Sequence, residues 1–304
     1  MKETGKIWMN GKLVPFKNAK VHVLTHALHY STSIFEGIRC YDTPEGSAIF
    51  RLPEHVDRFF NSAKMYSMKM PYSKKKISDG IVNTVNASKL KQCYIRPLAY
   101  YGYGTMGLTP TNNKVDVSIS CWEWKMGESK AGKFSGAKCK ISKWVRIDSK
   151  SQPMKAKSAA NYSNAALARM EALNAGYDEA IMLNNKGHVA EGSAENIFVV
   201  KNGKITTPPL NADILDGITR DSAMKLLKSN KNRVIEKNLR INDLLKADEI
   251  FMTGTAAEVK SVTRVDKTKI GDGKIGEITK ELQELFMDTV MGKNKKFRSW
   301  LKFI

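Results

Sequence analysis

The amino-acid sequence predicts a mixed α/β protein built as two domains. Three observations carry that expectation. The chain has 304 residues, enough for one large domain or two modest ones. Short strand-like runs alternate with helical periodicity from the N-terminus onward. A central stretch, residues 125–138, is rich in glycine and lysine with no apolar period, which marks a boundary. The expected organisation is a smaller N-terminal domain at 1–125, a linker at 126–137 and a larger C-terminal domain at 138–304.

The first element is a hairpin. Lys6-Ile7-Trp8-Met9 and Lys12-Leu13-Val14-Pro15 flank Asn10-Gly11, a dipeptide that tolerates the positive φ of a type I′ turn. Ala48-Ile49-Phe50 reads as a strand. From His55 to Tyr66 the apolar residues Val56, Phe59, Phe60, Ala63 and Tyr66 have helical spacing. Tyr94–Leu98 and Val115–Ile119 read as strands. Beyond the boundary, Cys139 to Trp144 alternates as a strand, and Asn161 to Ala175 favours helix with Gly176 as its stop. Strands follow at Glu179–Asn184, His188–Glu191 and Ile197–Val200, with Asn202-Gly203 as a second hairpin turn. Thr219 is expected to cap a helix through Ala223 and Leu227. Ile250-Phe251-Met252 is a short strand that runs into Thr253-Gly254-Thr255-Ala256. No internal repeat is present.

Composition excludes several classes. A hydrophobic content of 42% with nine prolines fits a folded chain. No run of about eighteen apolar residues exists to span a membrane, and the N-terminus lacks an apolar signal core, so the cytosol is the expected compartment. The four cysteines form no CxxC pair and are expected as buried thiols. His22, His26 and His29 lie close in sequence, but no acidic residue falls among them to complete a metal site, and no metal is expected. The net charge of +20 raises the possibility of nucleic-acid binding. Its distribution argues otherwise: 39 of the 50 basic residues are lysines, scattered along the chain, and residues 151–200 carry only four basic residues.

The chemistry is concentrated in that lysine-poor window. Lys157 sits among Ser158, Ala159 and Ala160, small residues that leave room for a flat, bulky group. A lysine that forms a Schiff base must be partly desolvated to keep its amine available near neutral pH. Lys155 projects to the same side of an extended strand, so spacing alone does not choose between the two. Glu191, in Glu191-Gly192-Ser193-Ala194-Glu195-Asn196, is a carboxylate suited to hold a pyridine nitrogen protonated, which makes the ring an electron sink. Leu215-Asp216-Gly217-Ile218-Thr219 places a glycine before a helix start, where backbone N–H groups and the helix dipole favour a phosphate. Gly254-Thr255-Ala256 offers further amides and a hydroxyl, and Arg58 a positive charge. Together these residues point to pyridoxal 5′-phosphate (PLP).

Seven blocks, in order, resemble the branched-chain aminotransferases of the fold-type IV PLP enzymes: HALHYSTSIFEGIRCY (26–41), EHVDRFFNSAKMY (54–66), YIRPL (94–98), AKSAANY (156–162), EGSAENIF (191–198), LDGITRD (215–221) and ADEIFMTGTAAE (247–258). The similarity spans nearly the whole chain and fades in the tail. It implies two α/β domains with PLP between them, and it selects Lys157 over Lys155. It further implies that Tyr162 bonds the cofactor's phenolic oxygen, that Glu191 bonds its ring nitrogen, and that Arg58, Leu215, Gly217 to Thr219 (including Ile218) and Thr255 hold it by its phosphate side.

The same resemblance assigns a substrate pocket to Phe35, Gly37 and Arg39, with Tyr30, Tyr94 and Arg96 at the other side and Thr255 and Ala256 contributing. It implies transamination between L-leucine, L-isoleucine or L-valine and 2-oxoglutarate, giving branched-chain 2-oxo acids and L-glutamate. An arginine with tyrosine hydroxyls can receive the glutamate carboxylate while aromatic walls take an alkyl group. Family members form homodimers or larger homo-oligomers, and a partner's loop near Met106 and Leu108 is expected to close the pocket. One departure is local: where the family commonly has a PWGAY-like run, this chain has Trp122-Glu123-Trp124-Lys125-Met126-Gly127, without the pocket tyrosine. The alternatives are a D-amino-acid aminotransferase or aminodeoxychorismate lyase of the same fold, and a basic nucleic-acid-binding protein.

Overall fold

The Asn10-Gly11 turn folds as its composition requires. Both residues have positive φ, 48° and 93°, and they close an antiparallel hairpin of β1 (Lys6–Met9) and β2 (Lys12–Pro15). The computed structural model describes residues 5–110, 112–124 and 136–304. It has the expected mixed α/β class and divides into two compact units.

The first unit continues with α1 (His26–Tyr30), β3 (Ser33–Phe35), β4 (Ile38–Thr43), β5 (Gly46–Phe50), α2 (Leu52–Met65), α3 (Lys74–Ser88), β6 (Cys93–Tyr101) and β7 (Val115–Glu123). Its antiparallel sheet runs β5-β4-β6-β7-β1-β2, with β3 also paired to β6. Strand alternation gives the sheet two unlike faces. One face is apolar core: Ile38, Ile95 and Ile119 pack with Val56 and Phe59 of α2 and with Ile77 and Ile81 of α3. The register puts Arg39 opposite Tyr94, Tyr94 opposite Trp122 and Phe35 opposite Leu98, all on the other face. Helix α3 begins with three lysines and is not among the expected elements. Its stripe of Ile77, Ile81 and Val85 at four-residue spacing is nevertheless buried, and the Ser73 hydroxyl caps it by accepting from the Lys76 N–H.

The histidines make local bonds. His26 Nδ1 lies 2.8 Å from the Thr32 hydroxyl and its Nε2 2.9 Å from the Gly107 carbonyl; His29 Nε2 bonds the Val23 carbonyl. Among the described residues no group of His, Cys, Asp and Glu is arranged to hold a metal ion. All four cysteines are buried, and none is in a disulfide. No helix of the described residues is long and apolar enough to cross a membrane.

The second unit holds β8 (Ala137–Ile141), α4 (Ala159–Asn174), β9 (Glu179–Leu183), β10 (Val189–Gly192), β11 (Asn196–Lys201), β12 (Lys204–Thr207), α5 (Ile218–Ser229), β13 (Val234–Glu236), α6 (Ile241–Leu245), β14 (Glu249–Gly254), β15 (Glu258–Val265), β16 (Thr268–Lys269) and α7 (Glu277–Val290). Its sheet order is β10-β9-β8-β15-β14-β11-β12-β13, with β16 on β15. Ile181, Ile197, Ile250, Met252 and Val262 fill its core. The second Asn-Gly pair again turns with positive φ, 49° and 70°. Gly176, φ 80°, follows the end of α4 in the left-handed region where glycine is favoured.

Two segments depart from the expected division at residue 138. Ala156–Ala160 and Thr289–Ile304 cluster with the first unit. The last strand, β17 (Leu301–Phe303), pairs antiparallel with β5 at the sheet edge. Within the expected linker, residues 126–135 lie outside the described residues, as does the position of the absent pocket tyrosine near Met126; β8 begins at Ala137, two residues before the anticipated start.

Candidate active site

Lys157 is fixed by its backbone. Its carbonyl accepts the Phe35 N–H at 2.9 Å, its N–H donates to the Ser62 hydroxyl at 3.0 Å, and Ser158 bridges to Ile34. The Ser158 hydroxyl meets the Tyr66 hydroxyl at 2.7 Å. These bonds tie the segment to β3 and α2. Lys155 is exposed, whereas Lys157 is half-buried. Its ammonium nitrogen lies 5.1 Å from the Phe35 ring centre. Burial, reinforced by the Arg58 charge, lowers the Lys157 pKa to about 8. That is the behaviour required of a lysine whose amine reacts near neutral pH.

Beside it stands a buried ionic cluster that sequence reading missed. Glu36 is fully buried. Arg58 donates to it twice, Nε to Oε1 at 2.7 Å and Nη2 to Oε2 at 2.9 Å, and His55 Nδ1 donates at 2.7 Å. Burial alone pushes a carboxyl up, but the charges and hydrogen bonds of Arg58 and His55 outweigh it and hold Glu36 well below the usual carboxylate range. Burial pushes His55 down. The signal was present in Phe35-Glu36-Gly37 and in the i, i+3 pair His55/Arg58 on one helix face, but a charged residue in a strand reads as solvent-facing until its partners are known.

Phe35, Tyr94 and Arg96, expected to line a substrate pocket, come together on the polar face of the first sheet. The Arg96 guanidinium lies over the Phe35 ring at 4.7 Å, over Tyr94 at 5.3 Å and over Trp122 at 5.6 Å, and donates to the Tyr94 hydroxyl at 3.4 Å. Gly37 is required by close approach: a Cβ there would stand 1.9 Å from the Tyr94 hydroxyl oxygen. Arg39 is buried with its guanidinium 5.0 Å from the Tyr41 ring centre. Tyr30 is exposed at the end of α1 and donates to the Met106 carbonyl.

In the second unit Glu191 is buried, contrary to what a lone strand-end glutamate suggests. Arg146 Nη2 pairs with it at 2.7 Å, the Asn196 amide donates at 3.0 Å, and the Leu215 N–H lies 3.2 Å from Oε2. Asn196 also donates to the Leu215 carbonyl, and a Cβ on Gly217 would strike its oxygen at 1.9 Å. Asn196 thus links the Glu191 strand to the turn before α5. Gly217 is the N-cap of α5 and has no side-chain cap; Thr219 is inside the first turn and not the cap anticipated. The α5 N-terminus therefore keeps backbone N–H groups that no cap side chain takes up. Thr255 and Ala256 lie in the turn after β14. Tyr162 is on α4, half-buried. Arg146 was not anticipated; nothing near it in the sequence resembles a site motif.

The amino-transferase class IV family model matches residues 33–265, and the chain belongs to that family of transaminases. A branched-chain-amino-acid aminotransferase of Pseudomonas aeruginosa is 43% identical over 97% of this chain and 96% of its own. The crystal structure of a T.th. branched-chain amino acid aminotransferase, complexed with N-(5′-phosphopyridoxyl)-L-glutamate, superposes with a TM-score of 0.94 at 43% identity, covering 100% of this chain and 99% of that one. The Escherichia coli branched-chain enzyme gives a TM-score of 0.96 at 38% identity over 98% and 99%. The protein stands among the branched-chain-amino-acid aminotransferases and is a PLP-dependent enzyme.

Proposed function

We propose that the enzyme moves the amino group between L-leucine, L-isoleucine or L-valine and 2-oxoglutarate, in a ping-pong reaction that depends on Lys157. The observation that carries this reading is the half-buried Lys157, its pKa drawn down to about 8, beside an aromatic ring and an arginine that has no carboxylate partner among the described residues. The residues present suit PLP. In this reading Lys157 attaches the cofactor covalently and Glu191, with Arg146 as its counter-charge, accepts from the ring nitrogen. Tyr162 bonds the phenolic oxygen. Arg58, the uncapped turn Leu215 to Thr219 and Thr255 hold the phosphate. When bound, the cofactor supplies the electron sink that makes a substrate Cα–H acidic. The Lys157 amine moves the proton at Cα. Glu36 keeps the Arg58 guanidinium in one orientation. Phe35 and Tyr94 offer an apolar wall to an alkyl side chain, and Arg96 offers its charge to the glutamate side-chain carboxylate.

The reading includes a homodimer or larger assembly in the cytosol. Val23 at 70%, Leu28 at 62% and Leu108 at 80% are exposed in the first unit, and Met170 and Leu173 in the second. Apolar exposure on this scale fits an interface.

The test is a kinetic panel of L-amino acids with 2-oxoglutarate, with D-alanine as the contrast. Transfer from the three branched-chain amino acids, lost in Lys157→Ala and retained in Lys155→Ala, is the expected result. Turnover of Lys157→Ala near wild type, or preference for D-alanine, sinks the reading.

A further inference from the structure

We propose that Trp122 is a positioning residue for the acidic substrate: it holds the Arg96 guanidinium and the Tyr94 ring so that Arg96 presents its N–H edge to a side-chain carboxylate. The inference rests on the transamination reading above, in which one pocket takes an alkyl side chain and a carboxylate in turn.

Two arginines act electrostatically on Lys157, and their surroundings are opposite. Arg58 is neutralised by Glu36 through two hydrogen bonds. Arg96 meets no carboxylate among the described residues, and its Nε is buried with no hydrogen-bond partner. Its charge is left for a ligand, so something other than a counter-ion must fix its plane. Three rings do so. Phe35 and Tyr94 come from the same strands as the pocket itself, whereas Trp122 comes from β7. The strand register sets Trp122 directly opposite Tyr94, with the two rings stacked at 5.0 Å and 28°. It also sets Trp122 diagonal to Arg96, whose direct partner Ser120 has no ring to offer. Trp122 thus supports the hydroxyl-bearing ring and the cation together. An aromatic face orients a guanidinium without consuming its in-plane donors, and tryptophan is the strongest ring for the purpose. A carboxylate in the same place would orient Arg96 equally well but would cancel the charge. An alkyl substrate makes no use of that charge, so the contribution that Trp122 makes through Arg96 belongs to the acidic half of the reaction.

The experiment compares holoenzyme and its Trp122→Leu variant in separate single-turnover half-reactions with L-glutamate and with L-leucine. Calorimetric binding of glutarate and of 4-methylvalerate accompanies it. The expected result is an apparent Kd for glutamate and glutarate raised about tenfold, with leucine and 4-methylvalerate changed less than twofold, and substantial recovery in Trp122→Phe. An equal loss for both substrate classes, or no loss for either, overturns the proposal. Should the leucine variant fail to fold, Trp122→Met carries the same comparison. If wild-type enzyme transaminates neither substrate yet glutarate binding still depends on Trp122, the transamination reading fails and the clamp stands.

Discussion

Arg58 and Glu36 form a two-pronged ion pair, at 2.7 and 2.9 Å, with the carboxylate fully removed from solvent. The pair connects the Phe35-Glu36-Gly37 segment to helix α2, and His55 completes it one helical turn before Arg58. Removing one member of such a cluster leaves buried charge without its partner, which costs about 3–5 kcal/mol. Glu36→Gln is therefore expected to lower stability to urea by that order. The pH dependence has a definite sign. The folded-state pKa of Glu36 is depressed, so its stabilisation is present above the unfolded carboxyl pKa of about 4.3 and is lost as pH falls toward the lower folded value. Wild-type stability measured from pH 6 to pH 2 should fall more steeply than that of Glu36→Gln. Parallel acid limbs would contradict the assignment.

The lowered pKa of Lys157 predicts a reactive amine. With a pKa of about 8, about a tenth of Lys157 is unprotonated at pH 7, against about four parts in ten thousand for an ordinary lysine near 10.4. Modification of apo-protein by an amine-directed reagent, followed at single residues by mass spectrometry, should show Lys157 reacting with a midpoint near pH 8. A Lys157 midpoint above pH 10 would contradict the desolvation argument.

Gly37→Ala tests the approach of Tyr94. The added Cβ would meet the Tyr94 hydroxyl oxygen at 1.9 Å and its Cζ at 2.7 Å, so the ring must move and take with it the hydroxyl that Arg96 contacts. Overpacking of this kind costs about 1–3 kcal/mol. The KM for glutamate should rise several-fold while the fold survives. An unchanged KM would show that the Tyr94 hydroxyl is not required.

Parts of this arrangement are legible in the amino-acid sequence. The two Asn-Gly turns and the helix carrying Arg58 follow local rules. What escapes depends on partners distant along the chain. The ion pairs of Glu36 and Glu191 are not legible locally, because Arg58 is 22 residues from one and Arg146 is 45 residues from the other. Helix α3 is hidden by the lysines of its first turn, although Ile77, Ile81 and Val85 have helical spacing. Thr219 reads as a cap because Gly217 has no side chain to signal the true start. The return of Thr289–Ile304 to the first unit cannot be read from composition, since the segment is as lysine-rich as the surface around it.

Arg146→Met tests the support beneath Glu191. The variant keeps the bonds from Asn196 and Leu215 but removes the counter-charge at 2.7 Å. The expected outcome is stability lowered by about 3 kcal/mol or more, together with weaker retention of PLP measured by dialysis and absorbance. Asn196→Ala should weaken retention by a different route, since it unties Glu191 from the Leu215 turn. Full retention in both variants would exclude Glu191 from the cofactor site.

The C-terminal segment predicts a dependence of α2 on residues far along the chain. Arg51, which precedes α2 with φ 52°, is a strained non-glycine position. Its N–H donates to the Trp300 carbonyl at 2.7 Å, and its guanidinium lies 4.6 Å from the Trp300 ring centre. Strand β17 then covers the open edge of β5, with Leu301 buried opposite Phe50. Deleting residues 295–304 removes the Trp300 contacts of Arg51, the edge strand and a buried leucine together. It should lower the Tm by several degrees, since burial of one leucine alone contributes about 1.5–3 kcal/mol. Because α2 carries His55 and Arg58, the same deletion should slow the onset of activity on adding PLP to apo-protein. Arg298→Ala removes the solvent-exposed pair with Glu45 and the guanidinium contact with the Phe303 ring but leaves β17 itself in place, and should change both measurements much less than the deletion. A Tm for the truncated chain equal to wild type would show that the tail is passive, and a loss in Arg298→Ala matching the deletion would place the effect in the Arg298 contacts and not in the strand pairing.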